Sequence, residues 1–134
     1  MEIELYFKKV YAVAFRLTGN ENIASDMATI AITNINKYIK LENQVTLNLF
    51  QLTIIELVKI FLKKPKACCN NINNSIDIQI ALLKIKPMSR VTVIWKDVLG
   101  FKISDNVPIE NFTKQELLKE LACGRKEMIE LLKS

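Results

Sequence analysis

The chain has 134 residues, 50% of them hydrophobic and 25% charged, with a formal net charge of +5 and no histidine. That much apolar content excludes disorder, and the absence of histidine removes histidine-based triads and acid–base pairs. Only 3 Gly and 3 Pro punctuate the chain, which favours long helices over many short strands.

In chain order, Ile3, Phe7, Val10, Ala14 and Leu17 recur at helical spacing and predict one apolar stripe on a helix over 3–17. Thr18-Gly19-Asn20 ends it, with glycine suited to a left-handed stop and asparagine to the next N-cap. A second helix is expected from about Glu21 to Ile39. On one face it carries Ile23, Met27 and Ile30, and on an adjoining face Ala24, Ala28, Ile32, Ile35 and Ile39. A third, Val45 to Lys63 (VTLNLFQLTIIELVKIFLK), is apolar nearly all round. Such a helix must be covered on both sides, by its own domain or by a partner. Lys64-Pro65-Lys66 breaks the pattern, and 67–75 (ACCNNINNS) reads as a polar tether.

Beyond the tether, Ile76 to Ile85 has the length of a helix, while Ile76, Ile78 and Ile80 alternate as a strand would. Val91 to Ile94 is β-prone as well. Pro87 suits a helix start and Gly100 its end. The last helix announces itself by a capping box, Thr113-Lys114-Gln115-Glu116, followed by Leu117, Leu121, Met128, Leu131 and Leu132 as its buried stripe. Trp95 is expected in the core of the helix before it.

Charge and cysteine narrow the chemistry. Through Lys63 there are seven basic and six acidic residues, and from Lys64 onward twelve and eight. A basic excess of that size permits phosphate contacts without requiring them. Cys68, Cys69 and Cys123 form no CxxC and have no histidine beside them, so free thiols are expected rather than a disulfide framework or a metal site. No apolar run reaches the roughly 18 residues of a membrane span. Glu2 and Glu4 stand where a secretion signal would be basic, so the expected location is the cytoplasm. No phosphate loop, paired carboxylates or nucleophile arrangement is present, so neither an enzyme nor a cofactor is expected.

The segment from Ile78 to Leu132 resembles region 4 of the sigma-70 family, in particular the small extracytoplasmic-function type. Leu82, Pro87, Arg90, Val93, Asp97, Val98, Leu99, Gly100, Thr113, Leu117, Leu121, Arg125, Lys126, Met128 and Leu132 fall on like positions without a gap. Earlier, VYAVAFRLTGNENIASDMATIAI is similar to region 2 of that family, with Phe15, Leu17, Gly19, Asn20, Ala24 and Asp26 in register. The resemblance implies an all-α protein of two small helical lobes: a region 2-like domain over 1–63, a linker over 64–75, and a region 4-like helix-turn-helix domain over 76–134.

The resemblance also implies partners. In the family, region 2 binds RNA polymerase core through its second helix, which would place Asp26 and Thr29 at that contact. Asp26 keeps the motif's acid, and Thr29 stands for its glutamine. The other reading of Asp26 is a first-turn aspartate favoured by the helix dipole. Region 4 reads promoter DNA with the first turns of its last helix, here Thr113, Lys114, Gln115 and Lys119, with Arg125 and Lys126 further along. Gln115 can read adenine, and the lysines and arginine can meet phosphate.

Three departures qualify that picture. Leu118, Glu120 and Cys123 stand where the family commonly has basic residues. Asn106-Val107-Pro108 interrupts the preceding helix, since an internal proline costs about 3 kcal/mol. The third helix lacks the family's Trp, Asn, Asp and Arg, so its apolar surface suits an anti-sigma factor or partner subunit, or a second copy, better than melted DNA. The expected function is transcription initiation or its regulation. The alternatives are a degenerate sigma-like protein acting through protein contacts alone, and a generic helical adaptor.

Overall fold

The computed structural model describes residues 1–37, 45–64, 77–103 and 112–133. Among them are six α-helices, one π-helical turn and no strand, so the fold is all-α. The chain divides into two units, Met1–Lys64 and Pro65–Ser134. The expected tether over 67–75 lies outside the described residues.

The first unit is a three-helix cluster, α1 (Ile3–Thr18), α2 (Glu21–Asn36) and α3 (Leu47–Lys63), each packed on the other two. Gly19, at φ 66°, closes α1 in the left-handed region that only glycine adopts freely. One residue on, the Asn20 side chain accepts the Ile23 N–H at 3.0 Å and caps α2. Of the predicted stripe of α1, Val10, Ala14 and Leu17 are buried and Ile3 is half-buried, while Phe7 is 41% exposed and Tyr6 and Val13 are buried instead. Tyr6 goes inward because its hydroxyl finds Thr53 Oγ1 at 2.5 Å inside the core, so its polar tip is satisfied there.

On α2 the buried residues are Ala24, Met27, Ala28 and Ala31, with Ile23 and Ile30 exposed. The small side lets both neighbouring helices approach. Ile39 lies outside the described residues. The third helix begins two residues later than predicted because Thr46 caps it, accepting the Leu49 N–H at 3.1 Å. Val45 instead exchanges backbone hydrogen bonds with Met1.

The second unit packs α4 (Ile78–Lys84) and α5 (Pro87–Val93) against α6 (Lys114–Lys133). Asp77 caps α4 through the Ile80 N–H at 2.9 Å, and Pro87 opens α5. The β-prone Val91, Val93 and Ile94 are helical and buried, tertiary packing overriding propensity. A π turn, Ile94–Val98, follows α5, its Leu99 N–H reaching the Ile94 carbonyl at 2.9 Å. Gly100, at φ 74°, then turns the chain. Trp95 is buried, donates its indole N–H to the Lys102 carbonyl at 2.9 Å and meets Phe101 edge-on. The helix expected around Asn106-Val107-Pro108 lies outside the described residues.

Candidate nucleic-acid and protein interfaces

Three surfaces carry the residues singled out from the sequence, two on the first unit and one on the second.

On α2, Asp26 and Thr29 are both exposed and sit one turn apart. Asp26 is not a first-turn residue, since Glu21 holds that place; the dipole's effect fades beyond the first turn and does not explain it. The Thr29 hydroxyl donates to the Ser25 carbonyl at 2.8 Å. Thr29 also lines a cleft of about 330 Å³ between α1 and α2, floored by Phe7, Tyr11, Ala28 and Ile32 and edged by Ser25 and Thr33. This apolar floor with a hydroxyl rim explains where the half-exposed Phe7 belongs: it faces the cleft rather than the core.

The third helix is covered on one side within its own unit. Leu49, Phe50, Ile54, Leu57, Val58 and Phe61 are buried, whereas Leu52 is 43% exposed and Ile55, Ile60 and Leu62 are half-buried. Among the described residues of the unit, cover on both sides, expected from its composition, is therefore absent. Asn34 on α2 donates to Glu56 at 3.0 Å and pins one flank.

On α6 the capping box forms as the spacing predicts. The Glu116 N–H donates to Thr113 Oγ1 at 3.1 Å, and the Glu116 carboxylate accepts from the Thr113 backbone N–H at 3.4 Å. Lys114, Gln115, Lys119 and Lys126 are exposed. Arg125 is exposed but engaged. Its guanidinium grips the Asp97 carboxylate in the π turn through two hydrogen bonds of 2.6 and 2.8 Å. That bidentate grip holds the Asp97 carboxyl below its ordinary range and raises Arg125. Of the three residues standing where positive charge was expected, Leu118 and Cys123 are exposed and Glu120 accepts the Ser89 hydroxyl at 2.9 Å.

Arg90, matched to the family arginine, is 0% exposed. Its guanidinium donates to the carbonyls of Leu82 at 2.7 Å, Leu83 at 3.2 Å and Ile85 at 3.1 Å. It thus satisfies the free end of α4, where the helix dipole favours a cation. Gly124 is buried where α6 crosses α5: a Cβ there would lie 2.8 Å from Val93 Cγ2 and 3.3 Å from the Ser89 carbonyl. Sequence reasoning gave no role to Asp97, Ser89 or Gly124. Their partners are distant in the chain, and no local pattern marks them. Among the described residues, no group of three or more His, Cys, Asp or Glu gathers as a metal site, and no helix is long and apolar enough to cross a membrane.

The chain's fold is similar to that of one solved protein. It is shown by the co-crystal structure of the sigma factor RpoE in complex with the anti-sigma factor NepR from Bartonella quintana. The likeness has a TM-score of 0.67 at 18% sequence identity, over 98% of this chain and 94% of that one. No protein-family model matches the chain, and no curated protein matches it in sequence. The likeness is therefore one of fold: both chains are all-α with the same arrangement, at low sequence identity.

Proposed function

We propose that the protein is a sigma-type regulator of transcription initiation, without catalytic chemistry of its own, that binds RNA polymerase core in the cytoplasm. The observation that carries this reading is a sigma factor's fold over nearly the full length of both chains. In this reading 1–63 acts as region 2, 64–75 as a linker and 76–134 as a region 4 helix-turn-helix. Asp26 and Thr29 form the polymerase contact, an exposed acid beside a cleft that accepts an apolar side chain. The exposed side of α3, with Leu52 at its centre, would take an anti-sigma factor or partner subunit. A sigma factor of the same fold has been crystallised with an anti-sigma factor.

Promoter contact would fall to α6, with Gln115 at a base edge and Lys114, Lys119 and Lys126 on phosphates. Thr113 would contribute through the helix end it caps. Arg125 would reach phosphate only by releasing Asp97. A second reading is favoured by the exposed Leu118 and by Glu116 and Glu120 on the same helix: a sigma-like protein acting through protein contacts without promoter reading.

The test is binding to purified core polymerase, alone and with promoter DNA. Asp26→Lys should weaken the core complex about tenfold, the scale of an interface hot spot. Lys119→Ala should weaken promoter binding and reduce the salt slope by about 1. Core binding with no DNA effect selects the protein-contact reading; no core binding refutes both.

A further inference from the structure

The cleft between α1 and α2 has two unlike sides. From α1 come two aromatic rings one turn apart, Phe7 and Tyr11, and each is held by a further ring. Phe7 leans on the buried Tyr6, with ring centres 5.6 Å apart. Tyr11 stacks on Phe15, with centres 6.5 Å apart and planes 20° apart. Tyr6 is itself tied to Thr53 in the core. The aromatic side is thus set before anything binds, although Phe7 is 41% exposed, and rings already held in place lose little freedom on meeting a ligand.

From α2 come hydroxyls every four residues, at Ser25, Thr29 and Thr33, all exposed and all bordering the cleft. That spacing keeps them on one side of the helix. The Thr29 hydroxyl has already given its proton to the Ser25 carbonyl at 2.8 Å, so toward a ligand its oxygen can only accept. Ala28 and Ile32 complete the apolar floor. Among the described residues no charged side chain lines the cleft, in a chain that is 25% charged. An ion entering it would give up water without gaining an opposite charge.

Size sets the bulk of what fits. The volume, about 330 Å³, is roughly twice that of an apolar cavity of about 150 Å³ that takes one benzene ring. It falls in the range of small-molecule sites, about 300–1,000 Å³. A single phenyl side chain inserted by a docked protein would fill about half of it. A flat two-ring molecule can lie against Phe7 and Tyr11 with its edge toward Thr29.

We infer that the α1–α2 cleft is a binding site for a free small molecule, an uncharged bicyclic phenol or indole, whose O–H or ring N–H donates to Thr29 Oγ1. The site stands on the cleft's own lining and does not rest on polymerase binding.

The test titrates the full, isotope-labelled chain with three probes and follows its backbone amide shifts by nuclear magnetic resonance. β-Naphthol has the rings and the donor, its methyl ether the rings without the donor, and β-naphthoate the rings with a negative charge. β-Naphthol should bind with a Kd of about 1 mM or tighter and shift the amides of Phe7, Tyr11, Ala28 and Thr29. The ether and the naphthoate should bind at least about fivefold more weakly, the first for its missing hydrogen bond and the second for its desolvated charge. Thr29→Val, at an exposed position, should lower β-naphthol to the level of the ether, and Phe7→Ala should weaken all three. No saturable shift at these amides, or equal affinity for the three probes in the unaltered chain, overturns the proposal, and neither result needs a variant to fold. So does binding of β-naphthol that Thr29→Val leaves undiminished.

Discussion

Among the described residues of Met1–Lys64 the interior is packed mainly from apolar side chains, with the Tyr6–Thr53 hydroxyl pair inside it and Thr18 returning its own hydroxyl to the Ala14 carbonyl. In Pro65–Ser134 the interior is fastened by polar groups at several places: Arg90 on three carbonyls, Trp95 on Lys102, Ser89 on Glu120, and Arg125 on Asp97 at the rim. Short helices explain the difference. The four-residue ends of a helix lack internal partners, and α4 and α5 are only 7 residues each, so their ends are a large share of their backbone. The first unit has helices of 16 and 17 residues and can rely on stripes. Accordingly, single polar substitutions should damage the second unit more than the first.

The largest expected effect is Arg90→Ala, which leaves three carbonyls buried without their cation and opens a cavity. A loss of about 3–5 kcal/mol is expected. Urea denaturation followed by the emission of Trp95 measures it, because the chain's single tryptophan lies in the second unit. A loss under about 1 kcal/mol would break the comparison.

Gly124→Ala comes next. Alanine gains about 1 kcal/mol of helix propensity, but its Cβ would press on Val93 Cγ2 at 2.8 Å and the Ser89 carbonyl at 3.3 Å. The net expectation is a destabilisation of about 1–2 kcal/mol. Adding Val93→Ala should give a smaller loss than the two single changes summed, since the pair shares one contact.

In the first unit, Thr53→Val removes the partner of the buried Tyr6 hydroxyl and should cost about 1–2 kcal/mol. Burial pushes the Tyr6 phenol above its usual value. The neutral ring's contribution is thus complete below about pH 10 and is lost as pH rises through the raised folded value. Far-ultraviolet circular dichroism against pH follows it.

The smallest effect is at Asp97, because its pair with Arg125 is exposed. Asp97→Asn should cost less than about 1 kcal/mol, and less again in high salt. The lowered Asp97 carboxyl contributes fully above about pH 4 and ceases to as pH falls through its folded value. A thermal melt series between neutral and acid pH detects the change, and it should vanish in the chain carrying Asp97→Asn.

What the sequence revealed tracks how far apart the interacting residues are. Caps and stops act within about one turn, and they were legible: Asn20, Pro87, Gly100 and the Thr113–Glu116 box all form where the spacing puts them. On α1 the sequence placed Val10, Ala14 and Leu17 correctly and Phe7 wrongly, because the choice between Tyr6 and Phe7 is made by Thr53, 47 residues away. The outward turn of Leu132, predicted as core, has the same origin: apolar residues flank the packed face of α6, and only packing shows which are inner. The candidate site was legible as a list of exposed residues on α2 and α6. The tie of Arg125 to Asp97 across 28 residues was not, since nothing near either residue in the chain marks it.

Engagement of RNA polymerase by this sigma-type fold is the central claim. Affinity purification of the chain from its native cell, probed for core polymerase subunits and repeated with Asp26→Lys, tests it most directly. The expected result is co-purification of the core subunits with the unaltered chain and their marked depletion with the variant. Recovery of the chain without any polymerase subunit would contradict it.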